Sequence, residues 1–147
     1  MPLEVLSAAA IVCERFLLEK DEVFSAIRII DVFLVPKEIP QGLHMEVSFL
    51  ILIRAKGEGE ARLALKLIDP VGKERKVAAD KSNVPDRVVA TKKFDDPEIP
   101  TGISLAVHLN VEPKPLGTYC LRLELDGSEK ASAYFTLIPQ PSPDRQS

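Results

Sequence analysis

The sequence predicts an all-β protein: an antiparallel, immunoglobulin-like β-sandwich of about eight strands. Three observations carry this expectation. Apolar residues recur at every second position in segment after segment, as strands with one buried face require. Turn residues punctuate the chain every ~8–12 residues, the rhythm of a sandwich or barrel. Twelve prolines are spread through the connections, where they would break most helices.

The opening segment, "PLEVLSAAAIVCERFLLEK", supports two readings. As an amphipathic helix it places Leu3, Leu6, Cys13 and Leu17 near one stripe, and its alanines favour helix. It reads equally well as a strand. Lys20-Asp21-Glu22 is a polar turn, and "DEVFSAIRIIDVFLV" after it is rich in the β-branched and aromatic residues of strands. In "HMEVSFLILIRA" one face is Met45, Val47, Phe49, Ile51 and Ile53, but Leu50 and Leu52 make the other face apolar as well. Such a strand is covered on both sides by its own chain or meets another chain.

"ARLALKLIDPVGKERKV" alternates Leu63, Leu65 and Leu67 with Arg62, Ala64 and Lys66. Its "DPVG" has Pro70 and Gly72 where a type I turn prefers them, so Lys73–Val77 returns. "RVVATKKF" is a weaker strand before the Pro- and Asp-rich connection Asp95–Gly102, a second place that allows a short helix. "ISLAVHLNV" alternates again. In "CLRLELDGSEKASAYFTLI" the Asp126-Gly127 pair supplies the positive φ of a tight hairpin turn. The tail "PQPSPDRQS" has no apolar residue beyond its prolines. The expected organisation is one sandwich domain over 1–138 and a disordered tail over 139–147.

A chain of 147 residues buries roughly 68–70% of its unfolded surface and needs no metal or disulfide to fold. With 5% aromatic residues and no Trp, the core is expected to be Val, Ile, Leu and Ala. A net charge of −3 with acids and bases interspersed argues against nucleic acid as partner. Lys92-Lys93 is followed at once by Asp95, Asp96 and Glu98. No apolar run approaches a membrane span, and no basic residue precedes Ala8–Val12 to make a secretory signal. The expectation is a cytoplasmic protein with Cys13 and Cys120 reduced.

Two resemblances add to this. "LGTYCLRLELDG" followed by "ASAYFTLI" resembles the closing hairpin of many bacterial immunoglobulin-like sandwiches. Tyr119 directly precedes Cys120, however, so the antibody spacing of Tyr two residues before Cys is lacking, as is the Trp. "AIVCERFLLEKDEVFSAIRIID" is similar to the N-terminal signature of a family of small, uncharacterised bacterial β-sandwich proteins. Members carry an apolar strand ending in Cys, a polar turn and a second strand, the place here of Ser25–Asp31. Arg28 stands where many members have Gly. The resemblance implies a β-sandwich of unknown function and brings no catalytic residues.

Candidate chemistry is sparse. Cys13 sits before Glu14 and Arg15, and Arg15 shares its strand face, which favours a thiolate; a catalytic thiol also needs a base. The competing reading is a small buried hydrophobe ending a strand. Cys120 falls on the polar side of its strand, and a Cys13–Cys120 disulfide requires adjacent strands. His44 and His108, the only histidines, have no metal-ligand spacing. Asp95, Asp96 and Glu98 have carboxylates for a cation but not the spacing of an EF-hand loop.

The sequence therefore points to a non-enzymatic binding or assembly module with no catalytic residues, cofactor or metal. Its partner is another protein or itself, with no nucleic acid and no membrane. Leu50 and Leu52 are the expected interaction residues, with Arg28 placed to pair with an acid. The alternatives are a small-molecule or carbohydrate-binding sandwich with a pocket lined by Phe16, Phe24 or Phe33, and a thiol enzyme using Cys13.

Overall fold

Alternating side chains need two faces to separate, and this chain separates them into two packed sheets. The computed structural model describes residues 3–18, 24–57, 59–75, 78–79, 86–90 and 101–141; at 15–18, 24–29, 60, 78–79, 86–90, 101 and 103 it describes backbone alone. Within these lie β1 (Glu4–Leu18), β2 (Phe24–Ile29), β3 (Val32–Val35), β4 (Met45–Lys56), β5 (Glu60–Ile68), β6 (Glu74–Arg75), β7 (Ala78–Ala79), β8 (Asp86–Ala90), β9 (Thr101–Val111), β10 (Gly117–Leu125) and β11 (Ser128–Pro139). Eight of the eleven described strands have five residues or more, which is the expected complement. No helix occurs among the described residues, and so none long and apolar enough to cross a membrane.

The first sheet runs β2-β1-β4-β9-β7; the second runs β3-β11-β10-β5-β6, with β8 pairing the first half of β5. Every pairing is antiparallel except β3 with β11, which is parallel. The chain changes sheet between β2 and β3 at Ile30-Asp31. The "IRIIDVFLV" run, continuous in composition, is thus two strands on two sheets.

The helix alternative for residues 3–17 is corrected: 4–17 lie in β1, and Leu3 precedes it without helical structure. Between Ala8 and Cys13, β1 pairs with β4 residue for residue. Ala8 and Ala10 face the core opposite Ile53 and Ile51, so a small side chain meets a large one on one face. Cross-strand packing decides against the helix propensity of alanine. The other allowed helix lies mostly outside the described residues; of Asp95–Gly102 only Thr101 and Gly102 are described, as the start of β9. The polar turn at Lys20–Glu22 also lies outside them, as does most of the expected tail. β11 reaches Pro139, opposite Val35, and the Gln140 N–H donates to the Val35 carbonyl at 2.7 Å.

The core lies between the inner faces: Val47, Phe49, Ile51 and Ile53 of β4, with Val107, Leu109 and Val111 of β9, against Leu63, Leu65 and Leu67 of β5 and the β10 and β11 rows. Aliphatic residues dominate, as expected, but the centre is aromatic. Phe135 stacks on Tyr119 at 5.2 Å and meets Phe33 and Phe49 edge-on at 5.9 Å each. Half of the chain's aromatic side chains gather at this joint between the sheets.

Two turns form as the sequence requires. Asp126 and Gly127 both take positive φ, 50° and 81°, in the two-residue loop joining β10 to β11. In "DPVG" the Gly72 N–H donates to the Asp69 carbonyl at 2.9 Å.

Candidate functional site

Three places bring chemistry-bearing or exposed apolar side chains together. The first is the outer face of the first sheet. There the register places Cys13, Ser48 and His108 side by side on β1, β4 and β9. Val12, the neighbour of Cys13, belongs to the core, so Cys13 points away from the sandwich interior. It is nevertheless buried, at 1% exposure, and burial pushes its thiol above the ordinary value. The arrangement suits an inert thiol better than a nucleophile.

His108 Nδ1 lies 2.8 Å from Ser48 Oγ and 3.0 Å from Glu46 Oε1. A Ser-His-acid relay uses one ring nitrogen for the nucleophile and the other for the carboxylate. Here one nitrogen faces both partners, so these three residues do not form that relay. The next rows on this face are Ile11-Leu50-Ala106 and Ala9-Leu52-Ser104. Leu50 is buried at 5% by its own chain, whereas Leu52 stays 38% exposed. The doubly apolar strand is therefore covered at Leu50 and open at Leu52. Arg28 lies in β2, where only the backbone is described.

The second place is one end of the sandwich. Asp69 is buried at the turn after β5 and accepts hydrogen bonds from the Lys73 N–H at 2.8 Å, the Val71 N–H at 3.1 Å and Arg75 Nε at 3.0 Å. Burial by itself opposes its charge. The Lys73 N–H, the Arg75 guanidinium and the Val71 N–H together outweigh burial and hold the carboxyl below its ordinary value. Arg75 Nη2 also donates to the Lys114 carbonyl. Beside it, Tyr119 Oη donates to the Pro115 carbonyl at 2.7 Å, and burial raises the phenol above its ordinary value. His44, Leu67, Arg75, Asn110, Val111, Glu112 and Tyr119 line a cleft of about 110 Å³ here. That falls well short of the ~300–1,000 Å³ typical of small-molecule sites.

The third place is the outer face of the second sheet along β3 and β11. Leu34 pairs with Ile138, Val32 with Thr136, and Thr136 in turn with Thr118. Tyr134 pairs with Cys120, which pairs with Ile68. Val32 is 48% exposed, Leu34 57%, Tyr134 61% and Ile138 40%. The Tyr134-Cys120-Ile68 row ends on the exposed Glu74 of β6, and the next row, Ser132-Arg122-Lys66, carries charge on β10 and β5. This face therefore has a largely apolar half that ends at the β3 edge.

Cys120 is half-buried on this face, on the far side of the sandwich from Cys13, and both cysteines are free. A Cys13–Cys120 disulfide, which would need adjacent strands, is excluded because two sheets stand between the thiols. Among the described residues no three His, Cys, Asp or Glu side chains group as metal ligands. Asp95, Asp96, Glu98, Lys92 and Lys93 lie outside the described residues. Phe33, expected as a pocket wall if a ligand site existed, packs against Phe135. The side chains of Phe16 and Phe24 are outside the description.

Sequence reasoning missed two of these features. The Val32/Leu34 face carried the same signal as Leu50/Leu52, apolar residues on both sides of a strand, inside "DVFLV". The Asp69 cluster carried only an Asp at the first position of a turn. Comparison with protein families and with curated proteins finds no match for this chain.

Proposed function

We propose that this protein is a non-enzymatic protein-interaction or assembly module that works through the outer face of its second sheet. The carrying observation is the band of Val32, Leu34, Tyr134 and Ile138, exposed side by side on adjacent strands. Contiguous exposed aliphatic and aromatic side chains favour a protein partner. The small polar cleft at the sandwich end supports the ligand-binding alternative less well. Leu52, exposed on the opposite face, lies outside this proposal.

An immunoglobulin-like sandwich is part of the same proposal. It is supported by the Tyr119–Pro115 hydrogen bond near the start of β10, the bond of a tyrosine corner despite the changed Tyr-Cys spacing. The family resemblance of residues 10–31 and a cytoplasmic location also belong to the proposal, the latter because both thiols are free. The test compares retention of proteins from a cell extract by wild type and by Leu34→Lys with Ile138→Lys. A protein retained by wild type and lost with the double substitution is expected; retention indifferent to both positions contradicts the reading.

A further inference from the structure

An edge strand normally carries a guard against pairing: a charge on the strand, a proline, a bulge or a covering loop. β3 is an edge strand of the second sheet, and among the described residues its one sheet neighbour is β11. Its sequence, Val-Phe-Leu-Val, contains no charge and no proline. Asp31 accepts from the Thr136 N–H and Val35 accepts from the Gln140 N–H, each at 2.7 Å. In a parallel ladder alternate residues face the partner, so Asp31, Phe33 and Val35 turn their peptide groups to β11. Val32 and Leu34 turn theirs outward. The same two residues present the most exposed aliphatic side chains of the strand.

We propose that the occupant of this edge is a second copy of the chain, its β3 antiparallel to the first across a two-fold axis through Phe33. The inference rests on the interaction-module reading and names its partner. The self-pairing follows from the free groups. With the axis at Phe33, Val32 of each copy lies opposite Leu34 of the other. Both are outward-facing residues, so each exchanges N–H and C=O bonds in a hydrogen-bonded pair. All free peptide groups of Val32 and Leu34 are then satisfied. An axis at Leu34 instead sets Val32 opposite Pro36, which has no N–H to give.

The flanking charges agree. Asp31 precedes the strand, Lys37 follows it, and both are exposed. Antiparallel pairing brings the Asp31 end of one chain to the Lys37 end of the other, where Lys37 stands nearer the strand than Glu38, whereas parallel pairing would set Asp31 beside Asp31. Val32 and Leu34 of both copies then form one aliphatic cluster beside Ile138 on a continuous sheet. The contact is isologous and therefore closes as a dimer rather than growing into a fibre. A four-residue strand covers little area, so the dimer is weak and forms at high protein concentration.

Sedimentation velocity across a micromolar-to-millimolar series of the full chain tests this. The expected result is a mass rising toward twice the monomer. Leu34→Lys, at a position 57% exposed, leaves the melting curve unchanged and raises the dissociation constant about tenfold or more. Val32→Pro removes one outward donor while leaving the β11 ladder intact, and gives the same result. Leu52→Lys, on the other sheet, leaves association unchanged. A monomer throughout the series overturns the inference. So does a dimer that survives both edge substitutions, or one lost with Leu52→Lys alone. In each of those cases the interaction-module reading still stands or falls on its own retention test, where a different protein strand bound at this edge would appear.

Discussion

Cys13 shows how a residue's neighbours in sequence and in space give different answers. In sequence it heads Cys-Glu-Arg, a thiol beside charge. In space it lies between Ser48 and Ile29 on adjacent strands, buried, with its thiol pushed up. A thiol reagent at neutral pH should therefore label Cys120 in the native protein and leave Cys13 untouched until denaturant is added. Fast native labelling of Cys13 would contradict the account. Asp69 makes a pH claim with a definite sign. Its folded pKa is depressed, so its stabilisation is present above the unfolded carboxyl value of about 3.9 and is lost as pH falls through the lower folded value. Asp69→Asn keeps an acceptor for the two N–H groups but loses the charge facing Arg75. The stability gap between wild type and Asp69→Asn, measured by urea unfolding, should be largest near neutral pH and shrink below about pH 4.

At the scale of elements, the terminal hairpin, β9 and the β5 turn were legible because each rests on local chemistry: period two, Asp-Gly, Asp-Pro-x-Gly. β1 was not, because alanine-rich segments satisfy helix propensity and strand packing alike, and only Ile51 and Ile53 across the sheet decide. The sheet change at Ile30-Asp31 was illegible for a similar reason. Apolar composition does not say which sheet a strand joins, and only the polar Asp31 interrupts the run. The exposed apolar face was half legible: a strand apolar on both sides is visible in the sequence, but Leu50 is covered within the chain and the more exposed instance is β3.

Gly117 marks where two elements meet closely. It opens β10 at φ 131°, and a Cβ there would stand 2.9 Å from the Pro70 ring. Gly117→Ala should lower stability by about 2 kcal/mol or more, from combined crowding and backbone strain. Gly127→Ala at φ 81° faces open space and should cost about 1 kcal/mol, from strain alone. Equal shifts in urea midpoint for the two would argue against the close approach of the β5 turn to β10.

At the scale of the molecule, the sandwich hides its aromatic joint around Phe135 and leaves one largely apolar half-face open, ending at an edge that is unguarded among the described residues. On the proposal made above, this edge receives a second copy of the chain. Amide hydrogen exchange followed residue by residue, at low and high protein concentration, reads it most directly. Phe33 and Val35 donate to β11 and should be protected at every concentration. Val32 and Leu34 should exchange freely when dilute and become protected as concentration rises, and Leu34→Lys should abolish the gain. Exchange at Val32 and Leu34 that is indifferent to concentration would contradict the claim.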